Sequence, residues 1–243
     1  MAKTLFEALG YVLGQKAAQA KNVFDLVGGT EEDSLRAEIR LGRELAAAVL
    51  ERVPLVVENE ATRLAAEIGR WLAGYVKEKK LPFMVRVTAE REPNALALPG
   101  GPVFVSWPLL EMCQGQRDEI AFVLGHEMAH IVRRHTLDRS VKDAALSLLL
   151  RQSSGRHAAS AWLGQAGRQM LGRAFSREDE LEADVFAVAL VGTAGGDALA
   201  GERLLEKLAQ WTSGQSVGIA GDYFATHPPL MERVAHLRAR RRG

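Results

Sequence analysis

Two histidines four residues apart, His126 and His130, lie in the segment GHEMAH at 125–130, with Glu127 directly after the first. On an α-helix that spacing puts both side chains on one face, about 40° and one turn apart. Two imidazoles so placed can hold one zinc ion through nitrogens at about 2.0–2.1 Å. Glu127 then lies where its carboxylate reaches a water that the ion activates, as a general base that is not itself a ligand. The pattern points to metal-assisted hydrolysis, with one zinc ion per chain. Its surroundings agree. Ile120, Phe122, Val123, Leu124, Met128, Ile131 and Val132 recur between 118 and 135, which predicts a largely buried helix.

A zinc site needs a third protein ligand, and a catalytic one leaves a fourth position for water. The metzincin arrangement is excluded, because Arg133 and Thr136 stand where it requires Gly and His. The stretch 176–191, SREDELEADVFAVALV, reads as a helix with Ser176 as N-cap, acids in the first turns and an apolar run after them. Glu180 and Asp184 share a face of it. One can bind the metal while the other hydrogen-bonds a ligand imidazole and fixes its tautomer. Glu178, Asp179, Glu180 and Glu182 all suit a helix N-terminus, and periodicity does not choose among them. Asp184 differs in lying between Ala183 and Val185, where an unpaired carboxylate is costly.

Several elements must position these groups. Residues 4–20 read as an amphipathic helix, followed by a break at 28–30. A long helix from Asp33 carries Leu35, Ile39, Gly42, Leu45, Ala46 and Val49 at helical spacing and ends before Pro54. Another runs from about 59 to 79 on Leu64, Ile68, Leu72, Tyr75 and Val76. The period then becomes two: 83–88 and 95–98 read as strands, 99–101 as a tight turn, and Val103, Val105 and Trp107 alternate again. These predict a small antiparallel sheet just before the histidine helix, with an edge able to take an extended peptide through main-chain hydrogen bonds. A helix over 137–151, a polar break at 152–156 and a helical stretch to about 175 follow. The fold class is α+β and mostly helical, with 1–34 as an N-terminal helical extension and 35–243 as a single domain.

Composition is that of an ordinary globular protein, 47% apolar and 25% charged, and a net charge of +1 gives no sign of a nucleic-acid binder. The basic cluster Arg238, Arg240, Arg241 and Arg242 reads as a solvated helix end. A single cysteine, Cys113, precludes an intramolecular disulfide and fits a reducing compartment. Glu7 interrupts any leader-like core, and no run approaches 18 apolar residues, so no transmembrane segment is expected. As written the chain reads as cytoplasmic, or as periplasmic or membrane-associated if a leader or anchor has been removed.

GHEMAH, then ELEAD at 180–184, then THPPLMER at 226–233, resemble the gluzincin-type zinc metallopeptidases that include the CAAX prenyl endopeptidases, HtpX-like heat-shock proteases, and periplasmic and mitochondrial quality-control proteases. NALALPGGPVFVS at 94–106 resembles that family's edge strand, and IRLGRELA at 39–46 its upstream helix. The resemblance implies a zincin-like fold in which His126, His130 and Glu180 bind zinc, Glu127 is the general base and Asp184 partners a ligand histidine. It implies that His227 faces the cleft, stabilising the transition state or, in some relatives, filling the fourth zinc position and silencing the enzyme. Arg233 matches an arginine near the substrate, and Val103, Phe104 and Val105 would carry an extended peptide. The implied activity is endopeptidase action on protein substrates, including misfolded or damaged ones. The alternative is a zinc-bound but latent, chaperone-like module with a blocked cleft. The membrane helices of the prenyl and heat-shock branches are missing, which disfavours prenyl-protein processing. His135, five residues after His130, falls off the metal face and reads as structural.

Overall fold

The computed structural model describes residues 30–51, 53–77, 81–136, 175–213 and 230–242. The segments expected as helices over 4–20 and across 137–174, and His227, lie outside them. The first element, α1 (Glu31–Leu50), begins at a reciprocal cap: Thr30 accepts from the Asp33 N–H, and the Asp33 carboxylate accepts from the Thr30 N–H. Its buried side is formed by Ala37, Glu38, Gly42, Leu45, Ala46 and Val49, whereas Leu35 and Ile39 are only half-buried. Asn59 caps α2 (Glu60–Ala73) in the same reciprocal way through Thr62. This helix stops at Gly74, short of 79, glycine being a poor helix residue. Tyr75, expected in the core, is exposed, while Val76 turns back into it.

The sheet is mixed rather than antiparallel. Strands β1 (Met84–Thr88), β2 (Ala95–Ala97) and β3 (Pro102–Ser106) stand in the order β1-β3-β2. The β2–β3 hairpin is antiparallel, with Leu96 opposite Phe104, but β1 runs parallel to β3, with Val85 opposite Val103. Alternation marks a strand without specifying the direction of its neighbour. β3 is therefore the central strand. Both of its edges are already paired, so Val103, Phe104 and Val105 have no main-chain groups to offer a peptide, contrary to expectation, and all three are buried. Nor does Trp107 extend it. Ser106 accepts from the Leu109 N–H at 3.4 Å and Pro108 suits a first turn, so α3 (Trp107–Met112) begins there.

One face of the sheet, through Leu96, Leu98 and Phe104, packs against Leu45, Ala46 and Val49 of α1. The other, through Val85, Val87, Ala95, Ala97, Val103 and Val105, packs in the main core with Ile68 and Leu72 of α2 and with α4 (Arg117–Val132). Alongside α4 runs α5 (Arg177–Thr193), close enough that a Cβ on Gly125 would stand 3.4 Å from Ala187 Cα. Ser176 caps α5 by accepting from the Asp179 N–H at 3.1 Å, as its sequence predicts. α6 (Ala200–Ser213) and α7 (Leu230–Arg242) complete the packing. Arg238 pairs with Glu202 and Glu206, and Arg241 with Glu202, so the basic end of the chain is tied to α6 rather than merely solvated. No helix among the described residues is long and apolar enough to cross a membrane.

Candidate metal centre

On α4 the two histidines turn the same way, with His126 Nε2 and His130 Nε2 3.1 Å apart. Glu180, in the first turn of α5, meets both: Oε2 lies 3.5 Å from His126 Nε2 and Oε1 3.2 Å from His130 Nε2. All three residues are buried, and they form the one such converging group among the described residues. Four ligands at 2.0–2.1 Å around a tetrahedral ion stand about 3.3–3.4 Å from one another. The two imidazole nitrogens, and the two Glu180 oxygens each facing one of them, stand near that spacing, and two imidazoles with one carboxylate are a donor set suited to zinc. The residues fit the ion.

Each imidazole is oriented from behind. Asp184, one turn after Glu180, places Oδ1 2.9 Å from His126 Nδ1. An ionised carboxylate only accepts, so Nδ1 carries a proton, and the Nε2 lone pair is the one that would serve a metal. Asp184 is gripped in turn by Arg233 of α7, whose Nε donates to Oδ2 at 2.8 Å and Nη2 to Oδ1 at 2.6 Å. The same guanidinium places Nη1 3.1 Å from Glu180 Oε2. Burial pushes the Asp184 carboxyl up, but Arg233 and His126 outweigh it and hold it below the ordinary carboxylate range. Burial and Arg233 favour neutral His126, yet Glu180 and Asp184 outweigh both and carry its pKa up to about 9. Arg233, matched by resemblance to a residue near the substrate, is 2% exposed and engaged with these carboxylates.

Behind His130 stands His135, its Nδ1 3.1 Å from His130 Nδ1. Where His130 Nε2 serves a metal, Nδ1 is the donor and His135 the acceptor. The opposite nitrogen of His135 faces Asp179 and Glu182, each 3.5 Å away, and Phe175 stacks on the His130 ring at 3.9 Å. His135 is off the metal face, as its spacing predicts. What spacing missed is that it backs the His130 ring.

Glu127 points elsewhere, towards the sheet, where the Ala97 N–H of β2 lies near enough to draw its carboxyl down. Asn94 and Leu98 spend their main-chain groups on β3, through Asn94 O to Ser106 N and Leu98 N to Pro102 O, so Ala97 turns its own to the other side. Glu127 Oε1 is buried with no hydrogen-bond partner among the described residues. Burial, with Glu180 adding to it, pushes the carboxyl up to about 7 against the pull of His126, Arg233 and the Ala97 N–H. That value suits a base at neutral pH. Cys113 is no rival nucleophile: it is buried, and burial pushes its thiol up to about 12.

Residues 58–241 match the family described as Peptidase family M48. The chain belongs to this family. The M48 match contains every group of the centre, from His126 to Arg233, and begins after α1. Among its M48-like relatives, mitochondrial metalloendopeptidase OMA1 of Schizosaccharomyces pombe is 33% identical over 160 residues, 63% of this chain and 45% of that protein. The beta-barrel assembly-enhancing protease of Escherichia coli is 27% identical over 222 residues, 85% of this chain and 44% of that protein. Metalloprotease LoiP of Escherichia coli is 25% identical over 232 residues, 93% of this chain and 85% of that protein. The chain thus spans less than half the length of the first two relatives and most of the third.

Proposed function

We propose that this chain is a zinc-dependent endopeptidase, with residues 35–243 as its catalytic domain. One observation carries the reading: a buried glutamate follows the first of three converged ligand residues, with one oxygen unengaged among the described residues. When bound, zinc supplies a Lewis acid that polarises the scissile carbonyl and brings the pKa of water towards 7. Glu127 takes the proton of the attacking water and returns it to the departing amine. Asp184 and His135 hold the two imidazoles in the tautomers that ligation needs. The outward main-chain groups of β2, beside Glu127, take the peptide-binding role that β3 cannot, and His227 keeps the oxyanion role that the resemblance implies. The relatives' names, a metalloendopeptidase and two proteases, favour protein chains as substrates, and misfolded or damaged ones are the class we propose.

Replacing Glu127 by Gln removes the base and no ligand. The variant should retain one zinc ion per chain by elemental analysis and cleave denatured casein about 10²–10⁴-fold more slowly. Cleavage at the wild-type rate would assign the base elsewhere. The pH profile has a fixed sign as well. Glu127 acts when deprotonated and its carboxyl stands at about 7 without the ion, whose charge draws it lower. Wild-type kcat/KM should therefore fall as the solution is acidified below that value, and a rise would contradict the assignment.

A further inference from the structure

Glu38 is a buried carboxylate that the chemistry above does not use. It lies on α1, before the residues matched to the family, and is 1% exposed. Its Oε1 accepts from the Gly100 N–H at 3.0 Å, across 62 residues of sequence. Both sides of this contact are shaped for close approach. A Cβ on Gly42, one turn after Glu38, would stand 1.7 Å from the Pro99 carbonyl oxygen. Gly100 has φ +73°, and a Cβ there would meet Ile39 Cα at 2.5 Å and the Glu38 carbonyl oxygen at 2.7 Å. Helix and turn therefore meet backbone to backbone, with space for glycine only.

Docking α1 does not require a carboxylate, because Leu45, Ala46 and Val49 already bury against Leu96, Leu98 and Phe104. Apolar burial is non-directional, however, and close backbone contact resists approach without resisting separation, so neither by itself ties the turn to the helix. A hydrogen bond to a desolvated carboxylate is directional and strong, and it ties the Gly100 N–H to one point on α1. The turn that it fixes leads back to Ala97 of β2, the strand packed against α4, with its N–H near the Glu127 carboxyl. We infer that Glu38 is a positioning residue: by holding the Gly100 N–H it sets where β2 lies against Glu127, and so where the base points. Its catalytic consequence rests on the proposed role of Glu127; the placement of β2 does not.

The test uses the full chain with Glu38→Ala, Glu38→Asp and Glu38→Gln. Asp keeps the charge but withdraws the acceptor by one methylene, and Gln keeps an acceptor at the original reach. Amide exchange over residues 94–101, zinc content and steady-state cleavage of denatured casein are measured for each. Ala and Asp should exchange these amides about tenfold faster. Both should hold zinc as the wild type does, and lose about ten- to a hundredfold in kcat with KM within about twofold. Gln should restore exchange and kcat. Unchanged exchange in the Asp variant, or a Gln variant as impaired as Ala, overturns the inference even if the Ala variant does not fold. A zinc-loaded wild type that cleaves nothing would instead sink the peptidase reading, while the exchange data still decide whether Glu38 holds β2.

Discussion

His126 and His130 stand one turn apart on one helix, yet their imidazoles are held by different means. Behind His126 is a charge clamp, Asp184 between two donors of Arg233, with all members essentially dry. Behind His130 is a second imidazole, then Asp179 and Glu182, whose side chains are 36% and 48% exposed. Charges in the dry interior interact strongly and cannot be removed singly without leaving a partner stranded. Charges at the surface are screened and worth little. The clamp binds metal-site geometry to the stability of the fold, whereas the imidazole chain adjusts one ligand and leaves the fold largely alone.

The largest effect should follow Asp184→Ala, which strips the Arg233 guanidinium of its two closest acceptor contacts and leaves it beside His126 with Glu180 as its remaining carboxylate. A loss of about 3–5 kcal/mol in unfolding free energy is expected from denaturant titration. If the loss is under about 1 kcal/mol, the clamp is not what distinguishes the two sides. Next comes His135→Ala, which should weaken zinc binding about 10- to 100-fold in a chelator competition. Its unfolding free energy should fall by less than half of the Asp184→Ala loss. Equal losses would erase the contrast. The smallest effect belongs to Glu182→Gln, at the exposed end of the chain. Zinc affinity should change by no more than about fivefold and the change should fade in high salt, whereas the Asp184→Ala effect should persist.

What was legible in the sequence was whatever a single element encodes. The four-residue spacing of His126 and His130 needs only a helix to become a pair of ligands. The cap at Ser176 and the apolar run after it placed Glu180 and Asp184 one turn apart on α5. Asp184 could even be seen to need a partner, given the apolar residues around it. Which partner was not legible, since Arg233 arrives from α7 and no local pattern distinguishes it from the other arginines nearby. The sheet failed for the same reason. Alternation in β1 and β3 identified strands, but pairing direction and central position depend on how the chain crosses between them. One signal was available: β3 is apolar at 103, 104 and 105 in succession, as a strand covered on both faces is. Glu38 was hidden by its chemistry, a charged residue in a stripe whose other members are small or apolar.

Around His126 and His130 four other ionisable side chains are walled in, and their charges do not balance. Glu127, Glu180 and Asp184 are acids and Arg233 is the lone base among them, all of them 2% exposed or less. Fully ionised, the set carries an excess of two negative charges in a medium that tolerates little net charge. A divalent ion cancels that excess, a monovalent one leaves part of it, and a trivalent one reverses it. When no ion is present the deficit is made good with protons, on groups such as His126 and Glu127. Metal entry is then an exchange of protons for a cation, and its measured heat will vary with the ionisation enthalpy of the buffer that receives them.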